Sequence, residues 1–293
     1  MEAERLDVRK TYKLYIGGKF PRTESGRSYL VSDARGRPLA NACRASRKDV
    51  RDAVRAARAA FPGWSGLTAY NRGQILYRVA EMLEGRRKQF VDEVAQAEGS
   101  SRRAAGEAVD KAIDRWVWYA GWSDKIAQVL GSANPVAGPY FNFSVPEPTG
   151  VVGLVAPADS SLLGLVSRLA PVIVSGNTAL VLASQDRPLP AVTLAEVLAT
   201  SDLPGGVVNL LTGFTAELVK PLAAHMDVDA LDLAGLDLAL LKDAELAAAE
   251  SVKRVAAPLK LTARDWLDDA KGQDPYWMAQ FLEIKTVWHP AGV

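Results

Sequence analysis

The chain is short of the residues from which most catalytic and metal sites are built. Its 293 residues include one cysteine, Cys43, and two histidines, His225 and His289. A single cysteine excludes an internal disulfide framework and fits a reducing, cytoplasmic setting. Two isolated histidines, with no Cys/His/Asp cluster at ligand spacing, leave no zinc signature. Charge of one sign is also lacking. The 35 Lys and Arg oppose 34 Asp and Glu, a formal net charge of +1, so nothing directs the chain to nucleic acid or an anionic membrane surface. No apolar signal segment follows Met1, and no run reaches the roughly 18 apolar residues that span a bilayer. Ser160-Ser161 lacks the Gly-x-Ser-x-Gly elbow of a serine hydrolase. No long repeat or low-complexity tract is present. What remains is a composition 48% hydrophobic and 24% charged, that of a soluble globular protein with ample core.

The most informative stretch runs from Pro148 to Gln185. Val151–Val155 and Thr178–Leu182 are aliphatic runs bounded by Gly and Pro, suited to strands buried on both faces. Between them Leu162, Leu165, Val166, Leu169, Val172 and Ile173 recur at helical spacing, which makes a βαβ unit. Helices at 191–199, 216–224 and 237–251 alternate with strands at 207–211 and 230–233. The alternation predicts an α/β fold with a doubly wound parallel sheet.

Upstream, 12–16, the Gly17-Gly18 turn and 39–44 predict a small antiparallel meander. A helix capped by Ser46 is expected to end before Pro62-Gly63, followed by helices at 71–87, 89–97 and 104–129 and a break at 134–138. Trp116, Trp118, Tyr119 and Trp122 read as core packing. Residues 140–145 and 281–288 alternate like strands, and the second must pair outside the parallel order. Residues 256–275 lack a clear strand and read as a linker with one helical turn around Trp266. His225 ends a helix, where a favourable dipole interaction explains it; His289 lies in an exposed tail. Asp227, Asp229 and Asp232 read as solvated loop residues, Cys43 as a buried structural thiol, and Gly235 alone as a weak phosphate signal.

Several segments occur in the order of a known family. Tyr15-Ile-Gly-Gly-Lys19, Ala57-Ala-Arg-Ala-Ala-Phe-Pro-Gly-Trp64, Pro148-Thr-Gly-Val-Val-Gly153, Leu203-Pro-Gly-Gly-Val-Val-Asn209 and Leu211-Thr-Gly213 resemble the cofactor domain of the aldehyde dehydrogenase superfamily. Phe281-Leu-Glu-Ile-Lys-Thr-Val-Trp288 resembles its C-terminal oligomerisation strand. The resemblance implies a Rossmann-like cofactor-binding domain over residues 1–256, whose strand at 139–147 joins a small antiparallel oligomerisation sheet. A linker at 257–280 then stands where the catalytic domain belongs, and 281–293 forms the oligomerisation strand and tail.

The functional side chains depart from the family pattern. Asp159 stands at the oxyanion-binding Asn position, and a carboxylate has no donor to offer an oxyanion. Leu182 and Gln185 replace the Lys and Glu that hold the adenosine ribose. Gly235 remains from the pyrophosphate turn, but Leu236 replaces its Ser and Asp237 places a negative charge there. Ala156, Pro157 and Gly213 complete a degenerate cofactor site. Pro258 stands at the general-base Glu position, and no Cys follows Cys43 to act as nucleophile. The resemblance therefore implies a non-catalytic subunit, with weak NAD(P) binding at most. It would associate through 140–145 and 281–288 with a complete aldehyde dehydrogenase or with itself. The alternative is an NAD(P)-binding oxidoreductase subunit acting on aldehydes with catalytic residues from a partner chain.

Overall fold

The computed structural model describes residues 8–256 and 261–291. The N-terminal strands are β1 (Thr11–Tyr12), β2 (Ser28–Ser32) and β3 (Pro38–Cys43), in the order β1-β3-β2. β2 is antiparallel to β3, but β1 runs parallel to it, so the expected meander is a mixed sheet. The Gly17-Gly18 turn forms, with both residues at positive φ and Ile16 paired to Lys19. The strand before it is drawn elsewhere. Leu14 and Tyr15 are buried, and Tyr15 exchanges two backbone hydrogen bonds (2.9 and 2.7 Å) with Leu210. That bridge covers an otherwise open edge of the main sheet.

Five helices follow: α1 (Arg47–Ser65), α2 (Ala69–Gly85), α3 (Arg87–Glu98), α4 (Arg102–Ala120) and α5 (Ile126–Leu130). Ser46 and Asp49 form a reciprocal capping box at the start of α1. The helix continues through Pro62 rather than stopping before it. Trp64 offsets the lost backbone bond: it is buried, and its Nε1 donates to the Ile173 carbonyl at 2.9 Å. The single helix expected at 104–129 is two, interrupted at 121–125. The expected break at 134–138 forms the connection between β4 (Ser132–Asn134), which includes its first residue, and the adjacent β5 (Tyr140–Pro148). Trp116 and Tyr119 are fully buried, as the aromatic cluster predicted.

The core sheet is built from β6 (Val151–Val155), β7 (Thr178–Leu182), β8 (Val208–Leu211), β9 (Ala230–Asp232) and β10 (Arg254–Ala256). All its pairs are parallel, in the order β10-β9-β6-β7-β8. The helices between them are α6 (Leu163–Val174), α7 (Leu189–Leu198), α8 (Thr215–Ala223) and α9 (Leu238–Ala249). Every one of the 12 residues of α6 is buried, which requires cover on both sides.

The outer cover comes from the stretch read as a linker. It folds as α10 (Ala263–Trp266), α11 (Asp269–Gly272) and α12 (Tyr276–Ala279), with Trp266, Trp277, Met278 and Phe281 buried. Buried polar groups fix it in place. Arg115 donates to Ser167 Oγ at 2.8 Å and to the Trp266 carbonyl at 3.2 Å, and Tyr119 Oη donates to the Gly272 carbonyl at 3.1 Å. The helical turn expected around Trp266 is α10; α11 and α12 carry no period because their short apolar contacts are scattered among Asp and Lys. β11 (Leu282–Pro290) then pairs antiparallel with β5 from Leu282↔Pro148 to Pro290↔Tyr140, giving the order β11-β5-β4. The fold is thus α/β, with a doubly wound parallel sheet and a small antiparallel sheet beside it.

Candidate functional site

Ligands of open parallel sheets sit outside the carboxyl ends of the strands. Here β6 is followed by Ala156-Pro157, both buried, and then by half-buried Asp159, whose carbonyl accepts from Arg187 Nη1 at 3.3 Å. The next two residues close the start of α6. Ser160 Oγ accepts from Gly164 N–H at 2.9 Å, and Glu98 Oε1 accepts from both the N–H and the hydroxyl of Ser161 at 2.7 Å. Glu98, at the end of α3, went unnoticed in the sequence. Its carboxylate sits at a helix N-terminus, where an anion is most favourable.

Leu182 and Leu236, at the end of β7 and after β9, are 1% and 7% exposed. Both pack in one apolar cluster with Val155, Leu180, Leu211 and Leu233. Gly235 brings its turn against the end of β6: its N–H donates to the Val155 carbonyl at 3.1 Å, and a Cβ there would collide with the Ala156 carbonyl oxygen. Asp237 caps α9 itself, its carboxylate accepting from Ala239 N–H at 3.0 Å. Ala156, Pro157, Gly235 and Leu236 are therefore assembled into one tight corner.

Gln185 and Gly213 lie to one side. Gln185 Oε1 accepts from Thr215 N–H at 3.3 Å, and the Gln185 carbonyl accepts from Tyr29 Oη at 3.1 Å. Burial pushes the Tyr29 hydroxyl well above its ordinary pKa, so it remains a donor. Gly213 takes φ +153°, and a Cβ on it would meet Ala45 N at 3.1 Å. A cavity of about 440 Å³, lined by Tyr29, Asp33, Gln185, Asp186 and Phe214, opens beside these residues. Pro258 lies outside the described residues.

Three residues behave differently from their sequence reading. Asp232 is not solvated: it is 1% exposed, and its Oδ2 accepts from fully buried Arg168 Nε at 2.5 Å. Asp229 accepts from Val151 N–H at 2.7 Å and Arg58 Nη2 at 2.6 Å; Asp227 alone of the three is exposed. His225 lies past the end of α8 and makes a local hydrogen bond. Burial lowers its pKa, and its Nδ1 accepts from Asp227 N–H at 3.2 Å, which leaves the proton of the neutral ring on Nε2. A charged residue inside the apolar run of α6 was the available signal for the Arg168 pair. Cys43 is buried, as read. Among the described residues no group of His, Cys, Asp and Glu could hold a metal, and no helix is long and apolar enough to cross a membrane.

Comparison with known proteins places this geometry in context. The profile described as "Aldehyde dehydrogenase family" matches residues 21–259. "Aldehyde dehydrogenase, cytosolic 1" of Elephantulus edwardii is 31% identical over 252 residues, 84% of this chain and 50% of that protein. "Retinal dehydrogenase 2" of Gallus gallus is 31% identical over 261 residues, 87% of this chain and 49% of that protein. The chain thus spans about half the length of the curated relatives it matches. Among solved structures, HpcC from Thermus thermophilus superposes with a TM-score of 0.80 at 30% identity, covering 84% of this chain and 48% of the other. The NAD+ complex of aldehyde dehydrogenase from Bacillus cereus gives 0.78 at 26% identity, covering 84% and 50%.

Proposed function

This chain belongs to the aldehyde dehydrogenase family, and from that membership we propose that it is a non-catalytic subunit that associates with a complete aldehyde dehydrogenase and stabilises or regulates it. One observation carries the reading: the β11-β5-β4 sheet. Apart from the Leu282 carbonyl, which accepts from Arg254 Nη1 at 2.9 Å, the outer edge of β11 pairs with no strand among the described residues, a template for another chain's strand. Around it Tyr140, Phe141, Ile284 and Trp288 are 45–59% exposed, an apolar cost that a subunit contact would relieve. In this reading residues 1–256 are the cofactor-domain scaffold, 257–280 stand in place of a catalytic domain, and 281–293 serve association.

Chemistry by this chain alone is disfavoured on physical grounds. Asp159 offers no hydrogen-bond donor to an oxyanion, and the sequence has no cysteine beyond Cys43. Nor do the residues present fit a dinucleotide. Asp237 already caps α9 and Glu98 takes the Ser161 N–H just before α6, Leu182 and Leu236 offer it no polar side chain, and the Gly235 turn closes on Ala156.

Two measurements test the proposal. Co-expression with full-length family members, followed by size-exclusion chromatography with light scattering, is expected to give a mixed oligomer. A chain that stays monomeric beside every candidate removes the reading. Calorimetric titration with NAD or NADP is expected to show no heat at millimolar cofactor; saturable binding would instead favour the oxidoreductase-subunit alternative.

A further inference from the structure

A cavity among the described residues lies away from the strand ends, between the start of α1 and the end of α8. It is about 700 Å³, within the range of small-molecule clefts, and has Val50, Pro221 and Ala224 in its lining. Its remaining lining is cationic: Arg47, Lys48 and Arg51 from α1, and Lys220 from α8, with His225 beside them. In a chain whose formal net charge is +1, this is a strong local concentration of one sign.

Ordinary structural roles account for only part of it. Lys220 stands in the last turn of α8, where a cation complements the helix dipole. Arg47 and Lys48 open α1, the positive end of that helix, where cations are unfavourable. The one acid of that first turn does not face them off. Asp49 is buried, its carboxylate taken by Thr23 Oγ1 at 2.6 Å and Ser46 N–H at 2.7 Å. Lys48 is paired with Glu24 and Arg51 with Asp52. Arg47 and Lys220 have no ion-pair partner among the described residues, and each is exposed. His225, its proton held on Nε2, contributes a neutral donor at the same rim.

We propose that this cleft binds an amphipathic organic anion, its phosphate or carboxylate held by Arg47 and Lys220 and its hydrocarbon body lying on Val50, Pro221 and Ala224. The head group gains two uncompensated cations, and the body covers exposed Ala224 and half-buried Pro221 above buried Val50. Neither feature alone suits bare phosphate or an uncharged hydrocarbon. The site is separate from the corner formed by Ala156 and Gly235 and does not depend on any dinucleotide binding there.

The test uses the full chain and isothermal titration with octyl phosphate and octanoate below their micelle concentrations, with inorganic phosphate and octyltrimethylammonium as controls. Saturable one-to-one binding of at least one octyl anion is expected, at least tenfold tighter than inorganic phosphate, with none for the ammonium analogue. R47E/K220E should weaken that binding at least tenfold with little net change in the urea midpoint, since an acid favours the start of α1 about as much as it disfavours the end of α8. The proposal is overturned by absence of saturable binding of both octyl anions, by equal binding of the ammonium analogue or of inorganic phosphate, or by binding that R47E/K220E leaves intact. A variant with a lowered urea midpoint is replaced by R47Q/K220Q, for which the same loss is required.

Discussion

Replacing Asp232 by alanine should be among the most damaging single changes in this protein. Among the described residues its carboxylate is the sole charged partner of Arg168, a side chain with no exposure, and the Nε–Oδ2 contact is 2.5 Å. The guanidinium also lies 3.8 Å from the Trp277 ring and reaches Gln280 Oε1 at 3.4 Å, while its Nη1 has no hydrogen-bond partner among the described residues. Neither the ring nor the amide can neutralise it. Removing one partner of a buried ion pair leaves an uncompensated charge and costs about 3–5 kcal/mol. At roughly 2–4 °C per kcal/mol for a domain of this order of size, the melting temperature should drop by about 10 °C. The decisive comparison is the double variant R168M/D232L, which removes both charges and keeps apolar bulk. Such replacements are often neutral or stabilising, so it should regain most of the loss. Urea unfolding followed by tryptophan fluorescence measures all three, since Trp266 and Trp277 lie in the segment the pair holds down. If D232A lies within about 1 kcal/mol of the native chain, or the double variant is no better than the single, the assignment of this pair as the clamp between β9, α6 and α12 is wrong.

Three further outcomes follow from the same structure. Gly272→Ala would drive a methyl into the Arg115 guanidinium, a side chain with no room to retreat, so it should cost about 1–3 kcal/mol in the same urea assay. Asp237→Ser keeps a side-chain cap on α9 and should change stability by less than about 0.5 kcal/mol. Calorimetry should still show no NAD binding, because Leu236 and the closed Gly235 turn remain. Burial raises the Glu93 pKa, so this residue contributes stability below its unfolded value that is lost as pH rises through the folded one. Glu93→Gln should therefore raise the urea midpoint at pH 8, with the gain disappearing near pH 4; an equal effect at both would contradict the burial argument.

Legibility in the sequence tracked how local the determining physics was. The strands Val151–Val155 and Thr178–Leu182 were readable because a strand buried on both faces needs an unbroken aliphatic run. α6 was readable because its apolar residues keep helical spacing. Asp159, Leu182 and Gln185 were identified by resemblance, and the structure adds what each touches. Three differences are tertiary. Pro62 failed to end α1 because Trp64, two residues on, anchors the helix to Ile173. Asp232 was mistaken for a solvated loop residue because its partner Arg168 lies 64 positions away. Of residues 263–279, the helical turn around Trp266 is legible in the sequence, whereas α11 and α12 are too short to show a period and only burial against α4 and α6 defines them.

Those misses share a cause that bears on what the chain is built to do. A helix such as α6, apolar on every side, cannot remain in water on its outer face. The cover here is supplied from within: Trp266, Trp277, Met278 and Phe281 close over it, Arg115 and Arg168 fix those elements to α4 and β9, and Asn177 Nδ2 holds the Phe281 carbonyl at 2.8 Å. The strand ends follow the same logic, since Glu98 and Asp237 satisfy N–H groups that would otherwise call for an outside anion. Where the chain closes its own surfaces so thoroughly, the face it leaves open gains meaning by contrast. One such face is the β11 edge with Ile284 and Trp288 exposed beside it, and the proposed association with another chain would cover them.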